Sequence, residues 1–199
     1  ASNPDGIIVS LPDADALGGA IQAAVDAGVP VITMNSGLES SAAVGALMHV
    51  GQPERLAGEK AGARAKAEGV TNGLCLNQEA FNTALVDRCE GYFAGVGGDL
   101  NMIDVSNDVT KVETRTAAAL SADPSIDGVM AVGPHVCAAA NKAIKDVGAD
   151  VHLACFDLSP EVMDMIKSGD AAFTIDQQQR LQGYMPVIVL HLYNTNAGM

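Results

Sequence analysis

The stretch GIIVSLPDADALGGAIQAAVDAGVPVITMN, residues 6–35, reads as a complete strand–helix–strand unit. Residues 6–10 and 29–35 are short apolar runs bounded by turn residues, the pattern of buried strands. Between them, Leu17, Ala20, Ile21, Ala24 and Val25 recur at i, i+3, i+4, i+7 and i+8, which predicts one packed helical face over Asp13–Ala27. Asp13 is placed to cap the helix start, and Gly28 supplies the left-handed stop. The turn back into the second strand is too short for anything but a parallel βαβ unit.

The same form repeats outward from this unit. The runs GIIVS (ending at Ser10), VPVITMN (Asn35), GLCLN (Asn77), MIDVSN (Asn107), GVMAVG (Gly133), HLACFD (Asp157) and FTIDQ (Gln177) are apolar, and a helical pattern follows each. Each ends at a small or polar residue. The expected fold is therefore α/β and doubly wound, in which ligands gather beyond the carboxyl ends of the strands. Residues 36–46 have the composition of a loop. After the short run LMHVG, helices are expected over about 53–68, 79–96, 109–122, 135–147, 160–168 and 178–195. Pro186 should kink or restart the last of these. Residues 50–175 then form one parallel sheet, and 1–46 contribute two strands to another.

The bulk numbers exclude several classes. With 48% hydrophobic and 18% charged residues, the 199-residue chain has the balance of a folded protein. A net charge of −13 repels phosphate backbones and argues against nucleic acid as a partner. No apolar run approaches the roughly 20 residues of a membrane helix. No G-x-x-x-x-G-K-[ST], G-x-S-x-G or H-E-x-x-H occurs, and GVGGDL is misplaced for a dinucleotide fingerprint. Neither catalytic residues, nor a metal site, nor a cofactor is expected.

Four cysteines are present, with no CxxC and no zinc spacing. Cys75 sits in a predicted strand and Cys89 on the helix after it. That spacing allows a short-loop disulfide in an oxidising compartment, and equally a pair of buried thiols. We carry the Cys75–Cys89 disulfide forward as an expectation. Cys137 and Cys155 are expected to be buried free thiols.

Four segments carry a resemblance: GIIVSLPDADALGGAIQAAVDAGVPVITMNS, IDGVMAVGPHVCAAANKAIKDVG, HLACFDLSPEVMDMIKSGDAAFTIDQQQ and QGYMPVIVLHLY. In this order, and across essentially the whole chain, they resemble periplasmic sugar-binding proteins of the ribose type. The resemblance implies two doubly wound parallel-sheet lobes that close on one small ligand, the first lobe incomplete here. Two βα units would precede Ala1, and a last short segment would follow Met199. Lobe one would be residues 1–47 plus 178–199 and lobe two residues 48–177, with crossings near 46–50 and 175–178 and a third beyond Met199.

The resemblance also implies site residues. Asn35 stands where the family places a ligand-binding carboxylate, with Ser36 where it often has Arg; a plain turn residue is the alternative. Arg88, in DRCEGY, matches the family's Arg in a similar Arg-x-Glu-Gly setting, against a surface ion pair with Asp87 or Glu90. Asp157, in CFDLSP, can accept two hydroxyl donors, whereas Ser159 is the better helix cap. Asp157 and Arg88 are expected on the same ligand. Gln177 lies at a crossing, with Gln178 and Gln179 as solvated helix-start residues. Asn107 replaces an aromatic that often stacks on the sugar. Asn77, Glu79 and Asn82 form a polar loop, while Ser10, Gly133 and His135 complete the set at other strand ends. Phe156 and Tyr92 read as core.

The function implied is the periplasmic solute receptor of an ABC-type importer. It would bind a sugar or polyol between its lobes, engage a membrane permease and act as a monomer. The alternative is the effector domain of a sugar-responsive, LacI-like repressor.

Overall fold

The computed structural model describes residues 4–196; the outermost residues of the 1–47 and 178–199 assignments lie outside the described residues. Eight strands alternate with eight helices: β1 (Ile7–Ser10), α1 (Ala14–Asp26), β2 (Val31–Met34), α2 (Leu38–Ser41), β3 (Met48–Val50), α3 (Glu54–Ala67), β4 (Gly73–Asn77), α4 (Thr83–Val96), β5 (Met102–Asp104), α5 (Val109–Ala122), β6 (Gly128–Ala131), α6 (Pro134–Val147), β7 (His152–Phe156), α7 (Pro160–Ser168), β8 (Phe173–Ile175) and α8 (Gln179–Thr195). The chain divides into two compact units. One comprises residues 1–53, 81–84 and 178–199; the other comprises 54–80 and 85–177.

The first unit holds a parallel sheet of order β1-β2-β3, with Ile7 opposite Val31 and Ile32 opposite Met48. The stretch near 46–50, read from sequence as a crossing, contains the third strand, and the stretch 36–46 includes the short helix α2. Asp13 caps α1 by accepting from the Ala16 amide at 3.0 Å. Of the expected stripe of α1, Ile21, Ala24 and Val25 pack into the core of this unit, whereas Leu17 and Ala20 are exposed. Gly18 is buried in their place: it has no side chain, and the Val44 side chain packs against that bare turn. Helix α8 runs through Pro186 as one element and does not restart there.

The second unit holds a five-stranded, all-parallel sheet of order β5-β4-β6-β7-β8. Buried residues alternate between its two faces, as the period-two geometry of a strand requires. Leu74, Leu76, Val129, Ala131, Leu153 and Cys155 join one core with α5, α6 and α7. Cys75, Met130, Ala154 and Phe156 join the other with α3 and α4. Tyr92 and Phe156 are fully buried in the second core, as expected.

Both cysteine pairs are disulfides. Cys75 and Cys89 are joined across a Cα–Cα distance of 5.6 Å, and Cys137 and Cys155 across 5.7 Å. The second corrects the expectation of free thiols. Residue 155 faces the core on the side where α6 lies, and residue 137 in the first turn of α6 packs into that same core. One disulfide therefore staples each face of the sheet.

Helices α3 and α4 approach more closely than side chains would allow. A Cβ built at Gly58 would lie 2.3 Å from the Arg88 carbonyl oxygen, and one at Gly62 would lie 2.0 Å from that of Tyr92. Reciprocally, Gly91 and Gly95 would meet the carbonyls of Arg55 at 2.1 Å and Glu59 at 2.2 Å. Gly62→Ala is expected to destabilise the protein by about 3 kcal/mol, the upper range for overpacking, because the neighbour is rigid backbone. Gly19→Ala on α1 meets nothing within 4 Å and should instead stabilise by about 0.5–1 kcal/mol. Thermal denaturation of the two variants reads the contrast; equal midpoints would contradict the packing described.

Candidate functional site

In a sheet of this order the direction of winding reverses between β4 and β6, and the crevice beyond their carboxyl ends is where such folds bind ligands. Gln78 follows β4 there and Gly133 follows β6, with the Gln78 amide packed so tightly on Gly133 that a Cβ would lie 2.7 Å from Nε2. The Gln78 Oε1 atom is buried and has no hydrogen-bond partner among the described residues. Sequence reading passed over Gln78, because a glutamine after a strand carries no signal by itself.

Backbone strain marks strand ends in both units. Among the described residues, the non-glycine positions with positive φ are Asn35 (61°), Ser106 (58°), Asp157 (71°) and Gln178 (56°). Each follows the carboxyl end of a strand: β2, β5, β7 and β8 in turn. The left-handed region costs a residue with a Cβ roughly 1–2 kcal/mol, and such residues cluster at ligand-binding positions.

Asp157 is the centre of the second unit's polar edge. Gln177 donates from Nε2 to Asp157 Oδ1 at 2.6 Å, and the Asp157 carbonyl accepts from Thr174 Oγ1 at 2.7 Å. Asp157 N–H donates to the Ile175 carbonyl at 2.8 Å. The helix cap of α7 falls to Ser159, which accepts from the Val162 amide at 3.1 Å, so Asp157 is not used for capping. Burial pushes the Asp157 carboxyl above its usual pKa, with Glu54 and Asp176 adding to the rise; the Gln177 hydrogen bond and the Arg88 charge oppose it.

Arg88 is 3% exposed, so its ion pair is a buried one and not the surface pair given as the alternative. Its Nε and Nη2 donate to the two carboxylate oxygens of Glu54 at 2.7 and 2.9 Å, and Nη1 donates to the Val132 carbonyl at 3.0 Å. The guanidinium lies over the Phe156 ring, 4.5 Å from its centroid. Glu54, the partner, is itself buried. No sequence pattern identifies it, since a Glu in the first helical turn after a proline is an ordinary surface residue.

A second polar group lies at the same strand ends. His135 Nε2 is 3.1 Å from Asn107 Oδ1, and Asn107 Nδ2 donates to Glu79 Oε1 at 3.3 Å. Asn107 and His135 are exposed. Asn77 is turned inward, donating to Met102 Sδ at 3.7 Å and accepting from the Glu79 amide at 2.9 Å. Gln177 is 7% exposed, whereas Gln178 and Gln179 are exposed.

In the first unit, Asn35 donates from Nδ2 to Oε1 of the buried Gln182 at 3.3 Å, a partner that sequence reading missed. Ser10 closes β1 opposite Met34. Asn82 belongs to this unit and accepts from the Ala84 amide at 3.2 Å, close to the start of α4. The fold thus brings Asp157 to Gln177, Asn107 to His135, and Asn35 to Gln182. No group of His, Cys, Asp and Glu among the described residues could hold a metal ion.

Strained polar residues at the strand ends of a doubly wound α/β chain lie at the edge where folds of this class hold ligands. Residues 1–195 match the periplasmic binding protein domain family, and the chain belongs to that family. It is 28% identical over 179 residues to the ribose import binding protein RbsB of Salmonella typhimurium, covering 86% of this chain. The chain spans 59% of the length of the curated relatives it matches. Among solved structures, it is 40% identical to a carbohydrate transporter from Acidothermus cellulolyticus in complex with myo-inositol, with a TM-score of 0.94, covering 98% of this chain and 68% of that one. A solute-binding protein of an ABC transporter from Bacillus halodurans, with bound myo-inositol, shares the fold at 22% identity and a TM-score of 0.88, covering 99% and 71%.

Proposed function

We propose that this protein is the solute receptor of an ABC-type importer and that its solute is a cyclic polyol or sugar. The observation that carries the reading is the 40% identity, over nearly the whole chain, to a carbohydrate transporter that holds myo-inositol. The site chemistry supports it. Asp157, Gln177, Asn107 and the orphaned Gln78 oxygen offer acceptors, and the amides of Gln177 and Asn107 offer donors, which is what a ring bearing hydroxyls requires. Direct contact is assigned to Asp157, Gln177, Asn107 and His135 in the second unit, with Gly133 letting Gln78 reach the crevice. Asn35, Asn82 and Ser10 are assigned in the first. Arg88 stands one layer behind.

The relatives named above are an import binding protein and transporter proteins, which favours this reading over the repressor effector domain. Two disulfides fit an oxidising compartment such as the periplasm. A monomeric receptor would pass its solute to a membrane permease. Calorimetric titration of the full-length protein with myo-inositol, D-ribose and D-xylose tests the reading. Micromolar or tighter binding of one of them is expected, and heat signals indistinguishable from buffer for all three would overturn it.

A further inference from the structure

Gln182 occupies a position that an apolar residue would ordinarily fill. The buried residues of α8 are Gln182, Pro186 and Leu190, spaced at i, i+4 and i+8, one stripe that faces the sheet of the first unit. At its far end Leu190 lies against Gly6, where a Cβ would be 3.0 Å from Leu190 Cδ1, so that end of the helix stands at the start of β1. Eight residues of helix rise about 12 Å, close to the length of a four-residue strand, which brings Gln182 to the carboxyl edge of the same sheet. There its Oε1 accepts from Asn35 Nδ2 at 3.3 Å. Gln182 is 5% exposed. A buried amide is costly unless it is hydrogen-bonded, so packing alone would be better served by a leucine.

The backbone around Asn35 is fixed on both sides. Its N–H donates to the Val50 carbonyl of β3 at 3.0 Å, and the Ser36 carbonyl accepts from the Leu11 N–H at 3.1 Å. Gly51 stands so close that a Cβ there would lie 3.0 Å from the Asn35 carbonyl oxygen. With φ held at 61°, the freedom left to Asn35 is the turn of its amide about the side-chain bonds. Gln182 takes the Nδ2 end of that amide, and Ser36 Oγ donates to the Oδ1 end at 3.3 Å. The two ends carry opposite chemistry, so a half-turn would exchange donor for acceptor at the strand edge.

We propose that Gln182 is a positioning residue for solute binding: it holds the Asn35 amide in one orientation, so that the first unit meets a solute with donor and acceptor already placed. This rests on the receptor reading above and on the assignment of Asn35 to the site there. Preorganisation is the physical gain. An amide that must be turned and held as the solute arrives takes that ordering out of the binding free energy, and one already held does not. Gln182 acts only through Asn35, which separates it from a direct contact and from a residue that merely fills space.

The test is a double-mutant cycle on the full-length protein, read by calorimetry with whichever of myo-inositol, D-ribose and D-xylose binds wild type most tightly. Gln182→Met keeps the length of the side chain and removes the acceptor. Affinity should fall about tenfold, the scale of one lost hydrogen bond. In an Asn35→Ala background the same change should cost less than about twofold. An equal loss in both backgrounds, or no loss in either, would overturn the proposal. A readout independent of solute is hydrogen exchange at the Asn35 side-chain amide, followed by NMR. In wild type these protons should exchange at least about tenfold more slowly than those of the exposed Gln178 and Gln179 side chains. Equal rates would overturn the proposal without any variant, so a Gln182→Met protein that fails to fold does not shield it. In Gln182→Met the protection should be lost, and its persistence would count equally against the idea. If wild type binds none of the three compounds while protection is present and is lost in Gln182→Met, the receptor reading fails and the hold of Gln182 on Asn35 stands.

Discussion

Full reduction of the protein is expected to lower its stability by about 6 kcal/mol, roughly 3 from each disulfide by the chain-entropy relation for loops of this length. The enclosed separations are 14 residues for Cys75–Cys89 and 18 for Cys137–Cys155. Against a total of about 5–15 kcal/mol for a typical domain, that is a large fraction. The loss should also be felt at the site. Cys155 lies two residues before Asp157, Cys137 two after His135, and Cys75 two before Asn77, while Cys89 adjoins Arg88. Denaturant titration with and without a dithiol reductant measures the change; a shift below about 1 kcal/mol would show that neither link constrains the unfolded chain. Mass spectrometry of protein isolated from an oxidising compartment should find both pairs bonded, and free thiols at either would contradict the structure.

Asp157→Ala is expected to weaken binding of a neutral polyol by about 2 kcal/mol or more, the cost of leaving hydroxyl donors without a charged acceptor. That corresponds to roughly a thirtyfold loss in affinity. The pH dependence follows from the raised carboxyl pKa, whose leading cause is burial. Because the folded pKa lies above the unfolded one, the stabilising contribution of Asp157 is full below the ordinary aspartate value, and it is lost as pH rises through the raised value. Binding runs the other way. Hydroxyl donors favour the ionised form, so affinity should fall as pH drops through the raised value, with uptake of solute releasing protons there. Calorimetry in buffers of different ionisation heat detects that release. A wild-type affinity that is flat on the acid side, or an Asp157→Ala variant with unchanged affinity at neutral pH, would remove Asp157 from the site.

Much of the fold was legible because it depends on local patterns. The βαβ unit at 6–35, Asp13 as a cap and the alternation of strands with helices follow from turn chemistry and periodicity. β3 was not legible as a strand, since Met48–Val50 is only three residues long and gains its identity from pairing with β2. The inward face of α1 was legible at Ile21, Ala24 and Val25 but not at Gly18, a glycine that is buried where Leu17 and Ala20 are not. At the site, the strand-end rule drew attention to Asp157, Gln177, Asn107 and Asn35. It could not show that Arg88 is held in a buried ion pair by Glu54.

Sequence by itself determined the α/β class and the parallel strands, since these follow from hydrophobic periodicity and from where turns must fall. Tertiary structure alone decided the partners. Glu54 meets Arg88 across 34 residues, Cys137 meets Cys155 across 18, and Asn35 meets Gln182 across 147. Periodicity acts within one element, whereas each of these contacts depends on how two elements approach. For Glu54 and Arg88 that approach is set by glycines whose only sequence mark is the lack of a side chain.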